Sequence, residues 1–368
     1  MKNIDELKRI IEQEENIEDE SENEDGEEYS RYDITSYGID FDVDGLVRRL
    51  KKNDIFIPEF QRNYVWKLTE ASRFIESLLL GLPVPGIFLA QDQATGRMLV
   101  IDGQQRLLSL KYFFLGEFNP ISGAKSKRVF RLTKVKRDFE GKTYEELDSR
   151  DRINLENAVI HATVVKQESP SNDDTSIYHI FERLNSGGRK LTAQEIRVAV
   201  YHGKFIDLLK EINTFEPWRN IFGPVNDRMK DLELILRFLA MNEKYNDYTK
   251  PMTEFLTKFC SQNRDLSGEK YEYYKEIFKQ TIEKFSTSID DKLFRPSRAL
   301  NVALFESCMV GLAKCLTSKR NITNDEIKNS YNSLLESIEF QELISQSTSD
   351  VKNLKRRMEL AINAFAGE

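Results

Sequence analysis

The sequence predicts an α+β protein, in which an α/β N-terminal domain is followed by a mostly helical C-terminal domain. Between residues 40 and 116, short apolar runs alternate with helical patterns, and Gly and Pro residues lie between them. From about residue 173 the apolar residues recur at helical spacing, with long runs at 232–239 and 300–312. With 368 residues, the chain has room for about two domains of roughly 100–200 residues each.

The first segment, residues 1–30, is predicted to be a disordered acidic arm. It holds 13 acidic and three basic residues, so its net charge is −10 while the rest of the chain carries +3. These charges repel one another and few apolar residues lie among them, so the segment has little to bury. The arm either keeps the protein soluble or competes with nucleic acid for a basic surface of the same chain.

The α/β domain is predicted at residues 31–170, and one helix and one hairpin can be located in it. The helix has apolar residues at helical spacing, with Thr69 placed to cap its start and Gly81 to end it. Two apolar runs at 87–90 and 98–101 follow, separated by a turn, which is typical of a β-hairpin.

A basic insertion lies within this domain at residues 118–137. It has seven basic residues and no acidic one, which makes it the most basic stretch of the chain. It is either a solvated loop or hairpin, or a surface that contacts the phosphate backbone of a nucleic acid. The candidate nucleic-acid-binding residues are Lys125, Lys127, Arg128, Arg131, Lys134, Lys136 and Arg137.

The helical domain is predicted at residues 171–368. Thr192 and Glu195 have the spacing of a capping box for the helical run 196–201. The sequence leaves three roles open for this domain: a scaffold, a dimerisation surface that would make the protein an oligomer, or a docking site for a nuclease subunit.

Composition narrows the class of protein. The three cysteines include no CxxC pair, so they provide neither a disulfide framework nor the ligand spacing of a zinc site. No apolar run reaches the roughly 18 residues of a membrane span, and the chain opens without the apolar core of a signal peptide. We therefore expect a cytoplasmic protein with no membrane partner.

The most informative segment is the strand-to-helix turn at residues 102–106, which reads Asp-Gly-Gln-Gln-Arg and is called the DGQQR turn below. Such a turn favours an anion, because free backbone N–H groups and the positive end of the helix dipole meet there. Gly103 permits close backbone approach, Asp102 could hold a divalent metal or activate water, and Arg106 could grip a phosphate. The alternative is an ordinary turn whose Asp caps the helix, although the polar density exceeds what a cap requires.

A second polar segment, residues 57–66, is called the QR segment. Gln61 and Arg62 offer hydrogen-bond donors to a ligand. Tyr64 and Trp66 offer aromatic faces on which a base could stack, although Trp66 taken alone fits a core position better.

A third polar segment, residues 181–191, contains two glycines between two predicted helices. Asn185 is placed to end the first helix, and Gly187 and Gly188 permit a left-handed turn. Taken alone, this pattern is equally typical of a simple helix C-cap.

The three segments together resemble the family named for the N-terminal domain of the GmrSD modification-dependent restriction endonucleases. The resemblance covers roughly residues 38–205 and rests on PEFQRNYVW at 58–66, DGQQR after an apolar strand, and FERLNSGGRKL at 181–191. It implies a ParB/sulfiredoxin-like core and hydrolysis of a nucleoside triphosphate that depends on the DGQQR residues. It also implies a role in defence against phage, often phage with modified DNA.

The resemblance also implies the site residues. The catalytic residues are Asp102, Gln104, Gln105 and Arg106. The nucleotide-binding residues that it implies are Gln61, Arg62, Gly103, Asn185 and Gly188, and Tyr64 and Trp66 join them as the aromatic faces on which a base could stack. Asp102 is the expected metal ligand, and Mg²⁺ the expected metal.

The chain departs from the family in one respect. Many members carry, in the same chain or a partner, an HNH-type nuclease domain built around a catalytic histidine. This sequence has three histidines, His161, His179 and His202, and none has the neighbourhood of such a site. We interpret all three as structural and assign them no nuclease chemistry.

Three functions stay open at this point. The first is a nucleoside triphosphatase that gates a DNA-directed activity of its own basic insertion or of a partner nuclease. The second is a nucleic-acid-binding module without turnover, whose arginines contact the phosphate backbone and which recruits a nuclease. The third is a nuclease that uses Asp102 and a metal ion. It has the least support, because the motif provides a single carboxylate as a metal ligand.

Overall fold

The computed structural model describes residues 17–18, 33–57, 64–92, 95–118, 128–169, 175–184, 191–289, 292–318 and 321–367. Contacts divide the chain into two compact units. One is Arg31–Leu191, the sheet unit, and the other is Thr192–Glu368 together with Met1–Ser30, the helical unit. The sheet unit contains a mixed five-stranded sheet and the helical unit is mostly helical, which confirms the predicted fold class.

The sheet has the strand order β2-β8-β4-β5-β3. β2 (Asp33–Asp42) runs antiparallel to β8 (Val159–Ser169), and β8 runs parallel to β4 (Ile87–Gln91). β4 is antiparallel to β5 (Met98–Asp102), so the predicted hairpin is confirmed, and β5 is parallel to β3 (Ile55–Phe56). Because of these directions, β2 and β5 finish at the same end of the sheet at which β4 and β8 begin.

We call this end the polar end of the sheet. The residues that mark it are Asp40, Gly86, Asp102 and His161.

Among the described residues, five helices accompany the sheet. They are α1 (Val43–Lys52), α2 (Leu68–Leu79), α3 (Gln104–Leu115), α4 (Ser149–Glu156) and α5 (Thr175–Leu184). One apolar cluster joins side chains of α1, α2, α3 and α4 to one face of the sheet, through residues such as Leu46, Ile75 and Val164. α5 contacts β5 and β8 and so belongs with the sheet unit.

The start of α2 differs from the prediction. The helix begins at Leu68 after Lys67, so Thr69 lies in its first turn and does not cap it. The Glu70 carboxylate accepts the backbone N–H of Lys67 at 2.7 Å, which fixes the helix start at that residue. Gly81 has a φ of 67° just past the helix end, as a terminating glycine should.

The basic insertion is a hairpin with buried anchors. β6 (Glu117–Phe118) pairs antiparallel with β7 (Arg128–Val129), and the chain after β7 buries Phe130 and Leu132 in the apolar cluster. Apolar residues alternate with the cations, so part of the insertion is held against the core. Lys125 and Lys127 lie outside the described residues.

The helical unit contains the following helices: α6 (Ala193–Val200), α7 (Lys204–Asn213), α8 (Glu216–Phe222), α9 (Lys230–Lys244), α10 (Met252–Asn263), α11 (Gly268–Ser288), α12 (Val302–Thr317), α13 (Asn324–Glu336), α14 (Ile338–Ser345) and α15 (Val351–Ala366). The capping box of α6 is confirmed, because Thr192 Oγ1 accepts from Glu195 N and Thr192 N donates to the Glu195 carboxylate. None of the helices in the described part of the chain is both long and apolar enough to cross a bilayer.

A short strand from the predicted acidic arm belongs to this unit. β1 (Ile17–Glu18) pairs in parallel with β9 (Leu300–Asn301), next to the start of α12. The other residues of the arm up to residue 30 lie outside the described residues, so its disorder stays a prediction. The boundaries at residues 30 and 170 likewise stay predictions.

Candidate functional site

The DGQQR turn connects β5 to α3, as predicted. β5 ends at Asp102, Gly103 has a φ of 100°, and α3 begins at Gln104. A Cβ atom on Gly103 would lie 2.4 Å from Ile87 Cγ2, so both the backbone conformation and the packing require glycine. The turn is therefore held tightly against the first residue of β4.

The start of α3 has no side-chain cap at its N-cap residue. The N-cap residue is Gly103, which has no side chain, and the Asp102 carboxylate bonds Arg106 rather than a backbone N–H of α3, so the alternative in which Asp102 caps the helix is wrong. Instead, Asp102 Oδ2 accepts from Arg106 Nη2 at 2.8 Å, and the same nitrogen donates to Gly86 O at 3.0 Å. The first N–H groups of a helix have no intrahelical acceptor, so together with the helix dipole they form a site for an anion.

The side chains of the turn retain capacity to bind. Asp102 is 53% exposed, whereas Arg106 is only 15% exposed and lies along the Gly86 backbone. Gln104 Oε1 and Arg106 Nε are buried and have no hydrogen-bond partner among the described residues. In the described part of the chain, no three His, Cys, Asp or Glu side chains come together as a metal cluster. Asp102 is therefore a single carboxylate beside a cation.

Gln105 joins the QR segment to the DGQQR turn. Its Oε1 accepts the backbone N–H of Val65 at 3.1 Å and of Trp66 at 3.3 Å. One turn later on α3, Ser109 makes a 2.6 Å hydrogen bond with the Tyr64 hydroxyl. The structure therefore brings the end of the QR segment onto α3, and it gives Gln105 a positioning contact.

The two aromatic residues of the QR segment lie against the core. Tyr64 is 4% exposed, its ring packs edge-on against Tyr112 and Phe118, and burial raises the pKa of its hydroxyl. Trp66 is partly buried against Phe74. Neither face of the Tyr64 ring is open to a base in this conformation, which is a correction to its expected stacking role. Gln61 and Arg62 lie outside the described residues, as do Asn185 and Gly188.

The cations of the basic insertion fall into two groups. Arg131 donates to the Glu146 carboxylate at 2.6 Å and to Gly141 O at 2.8 Å, and this hydrogen bond lowers the pKa of Glu146. Arg131 is thus engaged within the fold. The remaining described cations of the insertion are exposed: Arg128, Lys134, Lys136 and Arg137.

One histidine lies at the polar end of the sheet and was not expected there. His161 Nδ1 is 2.8 Å from Asp40 Oδ1, and the two side chains are 60% and 69% exposed. The interpretation of His161 as a structural residue in an apolar run is therefore incomplete. No sequence spacing indicates this pair, because 121 residues separate the partners and only the pairing of β2 with β8 joins them.

Comparison with known proteins agrees with this architecture. Residues 43–202 match the family described as GmrSD restriction endonuclease, N-terminal domain. The chain is also 28% identical over 109 residues to an uncharacterized protein of Methanocaldococcus jannaschii, an alignment that covers 23% of this chain and 19% of that protein. The chain thus spans about a fifth of the length of the relative that it matches.

The mixed five-stranded sheet, with a strand-to-helix turn at its polar end, defines an α/β domain. The match over residues 43–202, which is less than half of the chain, supports kinship with the GmrSD N-terminal domain family. The family is that of a restriction system, which agrees with the resemblance noted in the sequence. The kinship with the ParB/sulfiredoxin core stays a prediction.

Proposed function

We propose that the DGQQR turn binds a nucleoside triphosphate and hydrolyses it, and that this reaction gates a DNA-directed activity in a restriction system. The observation that carries the proposal is the start of α3, where the N-cap residue is Gly103, which has no side chain to cap the helix, and the Arg106 guanidinium lies along the Gly86 backbone. Backbone N–H groups and a guanidinium are the donors that bind phosphate oxygens in proteins. The family match to a restriction endonuclease domain supports the proposed setting.

In this mechanism the protein acts through position and charge. The N–H groups at the start of α3 hold phosphate oxygens, and Arg106 stabilises the negative charge that develops on the γ-phosphoryl group. From the resemblance to the family, Arg62 is the second cation that stabilises this charge. Water attacks the γ-phosphorus, and the products are a nucleoside diphosphate and inorganic phosphate.

The residues present fit a Mg²⁺ ion that arrives with the nucleotide. Proteins often bind Mg²⁺ through one or two carboxylates together with substrate phosphates, so a full protein cage is not needed. Asp102 supplies one half-exposed carboxylate, of which only Oδ2 accepts the Arg106 guanidinium. Asp102 would hold the ion, which neutralises phosphate charge when bound.

The first test is phosphate release from each of the four nucleoside triphosphates with Mg²⁺. Arg106→Ala is expected to lower kcat by about 100-fold or more while the fold is kept. Arg48→Ala is the matched control, since Arg48 also forms an (i, i+4) pair with an aspartate, Asp44, but on α1. Equal activity of wild type and Arg106→Ala would overturn the assignment.

A second proposal concerns the exposed cations of the insertion, which we propose contact the DNA backbone. Each phosphate contact adds about 0.9 to the slope of log affinity against log salt. Lys134→Ala with Arg137→Ala should therefore reduce that slope by about two. Arg131→Ala is the matched control, because Arg131 is already engaged by Glu146 and should change the slope less.

The same measurements separate the two classes of function. If wild type releases no phosphate with or without DNA, but binds DNA with a steep salt dependence, the protein is a nucleic-acid-binding module that recruits a nuclease. If phosphate release depends on Arg106 and rises with DNA, the gated triphosphatase is supported.

A further inference from the structure

The edge strand β2 is long and one of its sides is unpaired. It has ten residues and lies at one end of the strand order, whereas the other edge strand, β3, has two residues. Successive residues of an antiparallel strand direct their N–H and C=O groups to alternate sides, so about half of these groups on β2 face away from β8. In the described part of the chain, the backbone of residues 34–41 makes no hydrogen bond outside the pairing with β8.

β2 lacks the features that protect an edge strand from pairing with another chain. Residues 34–41 contain no Lys, Arg or Pro, residues 35–38 are exposed, and the register shift lies at the start of the strand. The two aspartates near its end are tied to their own chain. Asp40 Oδ1 lies 2.8 Å from His161 Nδ1, and Asp42 accepts the backbone N–H of Gly45. Since proteins shield long edge strands with charges, Pro, bulges or covering elements, an edge without them indicates a partner strand.

The sequence of β2 is complementary to itself in an antiparallel arrangement. A two-fold axis at Gly38 opposes residues 34–42 to the same residues of a second copy, so the pairing uses the strand over nearly its whole length. Tyr37 then lies opposite Ile39 in both halves, on the face of the sheet that carries the apolar cluster. An aromatic side chain opposite a β-branched one stabilises a strand pair.

The charges of β2 also fit this register. Ser36 lies opposite Asp40 on the other face of the sheet, and no two like charges are opposed, whereas an axis at Asp40 would oppose two aspartates. The acidic residues 1–30 lead into the start of β2, and the two-fold axis puts the two strand starts at opposite ends of the pair. The starts are then about 30 Å apart, which is about three Debye lengths at physiological salt, so repulsion between the arms is screened.

We propose that β2 pairs with β2 of a second copy of this chain, so that two five-stranded sheets form one continuous ten-stranded sheet. Closed two-fold pairs are the commonest assemblies of soluble proteins. Nine opposed residues supply roughly eight to ten hydrogen bonds, about the number in a typical interface. One strand pair buries less area than a standard interface, so we expect a Kd of about 1–100 µM. The axis reverses the partner, so the two polar ends point in opposite directions and each copy keeps its own DGQQR turn.

Sedimentation equilibrium of the full chain over about 1–300 µM tests the proposal, and wild type should dimerise within that range. Ser36→Asp opposes a like charge to Asp40 twice per dimer and should raise the Kd about tenfold. Ser36→Lys opposes unlike charges there and should lower the Kd about fivefold. The matched controls are Ser333→Asp and Ser333→Lys, at an exposed serine of α13, which make the same charge changes and should leave the Kd unchanged.

A double-mutant cycle checks the register. Ser36→Asp combined with Asp40→Asn removes the repulsion, so the Kd should return to within about twofold of that of Asp40→Asn alone. Amide hydrogen exchange in residues 34–41 should slow as the concentration rises through the Kd.

Two results would overturn the inference. One is a chain that stays monomeric over the whole concentration range, which would leave the edge of β2 to a different protein. The other is a dimer whose Kd does not respond to the sign of the charge at Ser36, which would place the interface on another surface. Thermal unfolding of each variant confirms that its fold is kept. Neither result bears on the proposed triphosphatase.

Discussion

Asp102 and His161 in the sheet unit each leave more than half of the side chain exposed, whereas Glu306 and Arg357 in the helical unit are almost fully buried. Glu306 accepts from Arg237 at 2.9 Å and from Arg357 at 3.1 Å, so both of its oxygens are occupied. In contrast, Asp102 has one charged partner and His161 has one bonded ring nitrogen.

The buried charges of the helical unit form a continuous network between helices. Glu233 on α9 binds Arg197 of α6 and also Arg237 of its own helix. Arg237 continues to Glu306 on α12, which binds Arg357 of α15. Buried ion pairs of this kind fix how helices pack. Partly satisfied charges at an open sheet end are the ones available to bind and react.

The largest expected effect comes from breaking the buried network. Glu306→Gln keeps the shape but removes the charge between two buried arginines, so the free energy of unfolding should fall by about 3–5 kcal/mol. Urea denaturation followed by far-UV circular dichroism measures this. Glu339→Gln, in the exposed pair with Arg356, should change stability little. Equal losses in the two variants would contradict the contrast between buried and exposed charges.

The next effect concerns the DGQQR turn itself. Gly103→Ala puts an alanine at a positive φ and places its Cβ atom 2.4 Å from Ile87 Cγ2. The free energy of unfolding should therefore fall by about 2–4 kcal/mol. Phosphate release should be lost as well, because the start of α3 moves. Gly81→Ala shares the positive φ but has open space around its Cβ, and should cost about 1 kcal/mol with activity retained. Similar costs in the two variants would show that the contact with Ile87 is unimportant.

A smaller effect is expected at Gln105. Gln105→Ala leaves the N–H groups of Val65 and Trp66 without their acceptor, so stability should fall by about 1 kcal/mol and KM should rise several-fold. Gln105→Glu retains an acceptor oxygen and should keep KM near that of wild type. If Gln105→Glu behaves like Gln105→Ala, the amide N–H₂ group contacts the nucleotide and the positioning role is wrong.

The smallest effect is expected at Tyr64. Tyr64→Phe removes the buried hydrogen bond to Ser109 and should lower the free energy of unfolding by about 1 kcal/mol. KM for the nucleotide should not change, because the Tyr64 hydroxyl faces α3. Steady-state phosphate release with a parallel urea titration measures both quantities. An increase in KM would place the hydroxyl against the nucleotide.

Features that depend on neighbouring residues could be predicted from the sequence. The hairpin of β4 and β5, the strand-to-helix position of the DGQQR turn, and the capping box at Thr192 all follow from spacings of a few residues. The start of α2 was misplaced because a threonine was preferred as the cap, whereas the Glu70 side chain holds Lys67. The alternative in which Asp102 caps α3 fails because Arg106, one turn later, donates to that carboxylate.

The sequence by itself determined the class of fold, the place of the strand-to-helix turn and the resemblance to the family, because periodicity, glycines and short motifs are local properties. Only the tertiary structure decided which distant residues meet. The pairing of β2 with β8 brings Asp40 to His161, and the packing of α3 brings Gln105 to the QR segment. Strand register and helix packing minimise the free energy of the whole chain, so these contacts leave no signal in the spacing of the residues that make them.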